Sequence, residues 1–291
     1  MMPDFTEREL GRPSQSSRKW MRFLLTLMSV VLLAPSRSAA EDGLLFGGDD
    51  FVVVPHSSSL SPSQLTVECW VNVAVLAGPS NNEFIVSKGN DGTQGSYYLS
   101  QNGDQFHFYL GKNGVDQVYA LTSSLHVQTN HWYHVAGTYD GTNLHIYVDG
   151  DLEGTTPANI AIGNSLELTL GYHNRPGVPY WLSGSLREVR IWSLARTQGE
   201  IQATMNQSLV GTEPGLVGYW RLNEASGQVA HDSSGNSNNG QLGSTPDVDT
   251  NDPTWIASIP TLSEWGIIGM SLVMFGAVLV LRRRQVIGLA P

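Results

Sequence analysis

The 291 residues carry 26 acidic and 16 basic side chains, a formal net charge of -10, with only 14% of positions charged and 31 glycines. An acidic chain of this kind repels polyphosphates, which excludes DNA and RNA as partners. One cysteine, Cys69, excludes an internal disulfide.

The chain opens on a polar lead, after which Arg18, Lys19 and Arg22 precede an apolar run at residues 23–33 and the small residues Ser38-Ala39-Ala40. That order predicts a secretory signal peptide over residues 1–40, with Ser38 and Ala40 at the positions a signal peptidase needs and Glu41 as the mature start. The lead is long, and Met21 is an alternative start that leaves Arg22 almost alone as the preceding charge. Twin arginines are absent and no cysteine sits at the cleavage point, so neither twin-arginine export nor a lipoprotein anchor is implied.

Residues 41–258 are the right length for one large domain. Without the segments on either side, seven basic side chains face 22 acidic ones, a net -15. Short alternating runs separated by Asp-Gly, Asn-Gly and Asn-Asp predict antiparallel β-structure throughout. In Leu65-Thr66-Val67-Glu68-Cys69-Trp70-Val71, alternation places Leu65, Val67, Cys69 and Val71 on one face, so Cys69 is expected as a small buried residue. The clearest unit is Trp132-Tyr133-His134-Val135-Ala136-Gly137-Thr138-Tyr139, the loop Asp140-Gly141-Thr142-Asn143, and Leu144-His145-Ile146-Tyr147-Val148-Asp149-Gly150. Its expected register pairs Tyr139 with Leu144, Gly137 with Ile146 and Val135 with Val148 on an apolar face. Thr138 with His145, Ala136 with Tyr147 and His134 with Asp149 form a face expected to meet water. A helix is expected within residues 195–206, where Thr197 and Glu200 have capping-box spacing.

This hairpin resembles the central hairpin of the LamG-like jellyroll, in the concanavalin A-like lectin/glucanase superfamily. The likeness extends to Phe51-Val52-Val53-Val54-Pro55, to residues 65–71, and to Gly184-Ser185-Leu186-Arg187-Glu188-Val189-Arg190-Ile191-Trp192. It implies an all-β, antiparallel two-sheet jellyroll sandwich over residues 41–258, a fold that hosts lectins, adhesion modules and hydrolases alike. Gly215-Leu216-Val217-Gly218-Tyr219-Trp220 resembles the opening of such a domain. Too few residues follow for a second copy, so it is expected to close the fold beside the first strand.

Hydrolases of this superfamily carry Glu-x-Asp-x-Glu or Glu-x-Asp-x-x-Glu on one strand, placing two carboxylates on one face to flank a sugar bond. No such string occurs, and Asp149-Gly150-Asp151-Leu152-Glu153 imitates it only across a turn. A non-catalytic module is therefore expected. His131 and His134, three apart on a strand, point to opposite faces and offer no zinc site. The resemblance implies a calcium site at the sandwich rim, with Asp49, Asp50, Asp91 and Glu188 as candidate oxygen donors. Arg187 stands where some relatives carry a further acid. For a glycan or protein ligand, the candidate residues are His134, His145 and Tyr147 on the outer hairpin face, and Tyr180 and Trp181 after the loop Arg175-Pro176-Gly177-Val178-Pro179.

The chain closes on Ile259-Pro260-Thr261-Leu262-Ser263-Glu264-Trp265-Gly266, an apolar run, and Arg282-Arg283-Arg284. Residues 265–281 would rise about 25 Å as a helix, slightly short for a ~30 Å hydrocarbon core. Trp265 suits the membrane interface and the three arginines the cytoplasmic side, so one C-terminal transmembrane helix is expected with the domain outside. Residues 259–285 resemble the IPTL-CTERM sorting signals that exosortases read in Gram-negative bacteria. That likeness implies an inner-membrane-held precursor, cleavage near residues 259–262 and delivery to the cell surface or extracellular matrix. The chain as a whole is expected to be an exported recognition or adhesion module. The alternatives are a structural envelope or matrix component and a divergent polysaccharide hydrolase.

Overall fold

The structure, a computed structural model, describes residues 42–78, 82–89, 96–112, 116–121, 126–173 and 180–256. The expected signal peptide, sorting tail and membrane span, and with them Asp91 and loop 175–179, lie outside the described residues. No described helix is long and apolar enough to cross a membrane.

In chain order the strands are β1 (Gly43–Gly47), β2 (Val52–Val54), β3 (Leu65–Val73), β4 (Asn82–Lys88), β5 (Ser96–Asn102), β6 (Gln105–Lys112), β7 (Asp116–Leu121), β8 (Trp132–Tyr139) and β9 (Asn143–Val148). There follow β10 (Asp151–Pro157), β11 (Leu168–Leu170), β12 (Tyr172–His173), β13 (Tyr180–Trp181), β14 (Ser183–Trp192), β15 (Leu216–Trp220), β16 (Val229–Ala230), β17 (Gly240–Leu242) and β18 (Thr254–Ile256). One α-helix, α1 (Gln198–Thr204), follows β14.

Two antiparallel sheets face each other. The first runs β10-β9-β8-β3-β14-β1-β18, with β15 also pairing β14, and the second runs β16-β17-β2-β11-β4-β5-β6-β7. Alternation explains what lies between them: Leu44, Val67, Val135, Ile146 and Leu186 point inward from the first sheet, and Val52, Ile85, Leu99, Phe108 and Leu168 from the second, all fully buried. With no disulfide, this apolar burial, worth about 25 cal/mol per Å², supplies the cohesion. Cys69 belongs to the same core, and burial pushes its thiol up, so it behaves as a small apolar side chain.

The β8–β9 register matches expectation at Val135↔Val148, Gly137↔Ile146 and Tyr139↔Leu144. Beyond β9, Asp149 and Gly150 both take positive φ, 49° and 83°, the two-residue turn that suits a twisted hairpin. The expected capping box is also present: the Glu200 amide donates to the Thr197 side chain, and the Thr197 amide donates to the Glu200 carboxylate.

Closure differs from the sequence expectation. Residues 216–220 pair with β14 rather than with the first strand. It is β17 that pairs β2 and β18 that pairs β1, with Gly43 opposite Ile256. Tyr219 and Trp220 are both fully buried. β15 lies end-on to β1 along the same edge of β14, where the returning chain fills the remaining length of that long strand.

Candidate functional site

Three places carry the candidate residues, and the first overturns an expectation. Much of the outer face of the β8–β9 hairpin is covered: His134 and Tyr147 are buried, and Ala136, Tyr147 and Ile201 of α1 form a small apolar cluster. Residues 194–210 roof this face because charged groups beneath require partners. Glu68, fully buried on β3, accepts through Oε1 from Trp192 Nε1 at 2.9 Å and Arg196 at 3.1 Å, with Arg190 at 3.5 Å. Its Oε2 lies 3.7 Å from His134 Nε2. The arginines then hold the roof. Arg190 donates to the carbonyls of Thr204 and Gln207, and Arg196 to that of Glu200. Trp70 Nε1 donates to Met205 O at 2.8 Å. Burial lowers His134 to about 4; Glu68 opposes this, while Arg190 and Arg196 add to it, so the ring is neutral near pH 7. His145 is half-buried and hydrogen-bonds the Thr155 hydroxyl. His134 and Tyr147 thus pack beneath the roof, while His145 lies at its edge.

The second place is the expected calcium site. Among the described residues, no three His, Cys, Asp or Glu side chains converge to hold a metal ion. Asp50 accepts from the Gly47 amide at 2.5 Å, beside the Gly47–Ser183 pair, and Asp49 is exposed next to it. Glu188 lies five residues along β14, roughly 16 Å away at ~3.3 Å per residue. A bulge there turns Glu188 to φ 52° and commits its carboxylate to Arg190 and the Tyr219 hydroxyl, each at 2.6 Å, and to Ser208 at 3.1 Å. Asp49, Asp50 and Glu188 therefore do not fit a shared calcium.

The third place holds Tyr180 and Trp181. Gly171 takes φ +74°, a conformation that favours glycine, and a Cβ there would meet the Phe46 ring at 2.3 Å. The chain thereby leaves β11 for the β12–β13 hairpin, fastened where the Leu182 amide donates to Gly171 O at 2.9 Å. The register pairs Tyr172 with Trp181 and His173 with Tyr180. Because neighbours along a strand face opposite ways, the two pairs look in opposite directions. His173 is buried, stacked on Phe84 at 4.2 Å and hydrogen-bonded to Ser87 at 2.8 Å. The other pair is half-exposed: Trp181 stacks on Tyr172 at 4.3 Å and 25°, and Phe51 leans on them at 5.3 and 5.9 Å. Phe51 is fixed by backbone hydrogen bonds with Asn251 and Gly243 of the closing segment. Underneath, Glu83 accepts from the Ser183 amide at 3.1 Å, and burial, opposed by that bond, raises it to about 7.

Sequence reasoning reached Trp181 and Tyr180 through the adjacent Pro-Gly loop but missed Phe51 and Tyr172. Phe51 reads as the start of a strand, and only the return of residues 243–251 makes it a platform residue. Tyr172 directly follows the turn glycine, which is the one local signal that could have found it.

A two-sheet antiparallel sandwich with a crossing strand order and loops at its rim defines a lectin-like jellyroll. The chain belongs to the concanavalin A-like lectin/glucanases superfamily, whose Laminin_G_3 model matches residues 46–202. The IPTL-CTERM motif matches residues 257–285. A search of curated proteins returns no match. Among solved structures, a candidate carbohydrate-binding protein from Bacteroides ovatus is 22% identical with a TM-score of 0.56, over 74% of this chain and 61% of that one. A heptameric SAP-like pentraxin from Limulus polyphemus is 18% identical with a TM-score of 0.44, over 57% and 82% of the two chains. The binding domain of botulinum neurotoxin DC, in complex with SialylT, is 16% identical with a TM-score of 0.41, over 54% and 39%. At these identities the likeness is one of fold.

Proposed function

We propose that this chain is the precursor of an exported, non-catalytic module that binds a glycan at the Phe51–Tyr172–Trp181 face. In this reading residues 1–40 are removed by signal peptidase. Residues 265–281 hold the precursor in the inner membrane of a Gram-negative bacterium, and an exosortase-type enzyme acts on the Ile259–Leu262 signature. Residues 41–258 are then delivered to the cell surface or extracellular matrix. The membership in a lectin-containing superfamily and the sorting motif support export and recognition. The observation that carries the reading is the half-exposed, mutually stacked aromatic face formed by Phe51, Tyr172 and Trp181. The apolar C–H face of a pyranose packs well on such rings, and loops and hairpins on a rigid sandwich are where binding residues concentrate.

The full chain in detergent micelles, applied to a glycan array, tests this. Binding should appear, and Trp181→Ala should weaken it at least about tenfold, the equivalent of ~1.4 kcal/mol, without changing the melting temperature by more than a few degrees. A silent array would sink the glycan reading and favour a structural role in the envelope or matrix.

A further inference from the structure

The chemistry of the ligand can be narrowed from the way the domain disposes of its cations. Lys88 is fully buried, held by Asn164 at 3.1 Å and by Leu166 O. Arg187 is buried with its guanidinium 4.2 Å from the Trp132 ring centre and 5.3 Å from that of Trp70. Arg190 and Arg196 are the buried clamps of the roof, and Arg221 is half-buried, donating to Leu209 O at 2.6 Å. Among the described side chains, no lysine or arginine is exposed. The exposed charges are acids: Glu68, Glu83, Glu188 and Asp50 are buried, but Asp49, Asp149, Asp151, Glu167, Glu200 and Asp247 are all exposed.

The same asymmetry surrounds the aromatic face. Exposed Asp49 is two residues before Phe51. Exposed Glu167 lies close enough to Tyr172 to add to the effect of burial in raising its hydroxyl. Arg175 is the one cation of the hairpin's own loop and lies outside the described residues. A polyanion approaching this face would meet carboxylates with no exposed described cation to pair with. An ammonium group would meet carboxylates next to stacking rings.

Resting on the glycan reading above, we infer that the ligand of this face is a polysaccharide with free amines, a deacetylated amino-sugar polymer, and that polyuronates are rejected. The rings take the sugar faces and the flanking acids take the ammonium groups. Specificity then comes from unfavourable charge against the wrong polymer as much as from contacts with the right one.

The test uses the full chain in neutral detergent and three probes: a glucosamine hexamer, the N-acetylglucosamine hexamer and an oligogalacturonate of equal length. At about 20 mM salt the glucosamine hexamer should bind roughly fivefold or more tightly than its acetylated counterpart. That advantage should shrink at about 300 mM, where the screening length falls below the size of the site. The oligogalacturonate should not bind. Glu167→Gln and Asp49→Asn should each weaken the glucosamine hexamer about two- to threefold and leave the acetylated one unchanged. Equal or better binding of the acetylated hexamer, or any saturable binding of the uronate, overturns the inference. Trp181→Ala separates the two claims. If it abolishes all binding while the preference runs the wrong way, only the amine inference fails. If it leaves glucosamine binding intact, or if no probe binds at all, the aromatic-face reading falls with it.

Discussion

Gly137 shows how tightly single positions are specified. A Cβ there would lie 2.2 Å from the Phe108 ring of the opposite sheet, and that ring is fully buried. Gly137→Ala should therefore cost about 3 kcal/mol in urea unfolding, and adding Phe108→Leu should recover part of the loss. Glu83 and His134 give opposite pH dependences. Glu83 rises from 4.5 to about 7, so the folded state holds its proton more tightly; its contribution is full below 4.5 and is lost as pH rises through 7. His134 falls from 6.5 to about 4, so its contribution is full above 6.5 and is lost as pH falls through 4. Glu83→Gln should remove on the order of 1–2 kcal/mol of the decline between pH 5 and 8, read as a flatter plot of melting temperature against pH. An unchanged slope would show that Glu83 does not govern it. At this scale the sequence was partly readable. Cys69 could be placed because alternation puts it among Leu65, Val67 and Val71. The burial of His134 could not, since a histidine paired inside and one in water are written with the same letter.

The roof over β3, β8 and β14 is the element most dependent on charge. Glu68→Gln would leave Arg190 and Arg196 buried with half their compensation, and should cost about 3–5 kcal/mol. Thr197→Ala removes only the capping hydroxyl of a short surface helix and should cost about 1 kcal/mol. Comparable losses from the two, in matched denaturant melts, would show that the helix and not the ion cluster secures the roof. Strand periodicity predicted the hairpin register correctly but misassigned its outer face. Alternation divides a strand into two faces and does not say what covers the second one. Glu68, His134 and Arg190 look solvent-facing in sequence because each is polar, and only residues 194–210, distant in the chain from Glu68 and His134, make them interior. The hairpin β12–β13 was half legible for the same reason: its Pro-Gly loop is local, whereas its partner Phe51 is some 130 positions away in sequence.

At the scale of the whole molecule, turn spacing and low charge were enough to predict antiparallel β-structure, and the resemblance of the central hairpin implied the two-sheet sandwich, while the order of closure was not legible, because three short final strands compete for the same edges. The sorting motif adds a prediction of processing. Intact-mass measurement of the mature protein from cells with an exosortase should find the Arg282–Arg284 segment missing, and replacing Pro260 should leave precursor in the membrane; a full-length mature product would contradict sorting by this motif. The pairing of Gly43 with Ile256 has a mechanical consequence. If the tail holds the precursor as proposed, any pull from a polymer bound to the sandwich passes through β18, a strand of three residues. So short a ladder opens at low force with the other described strands still folded, and in that arrangement it would act as a mechanical fuse between the sandwich and the membrane.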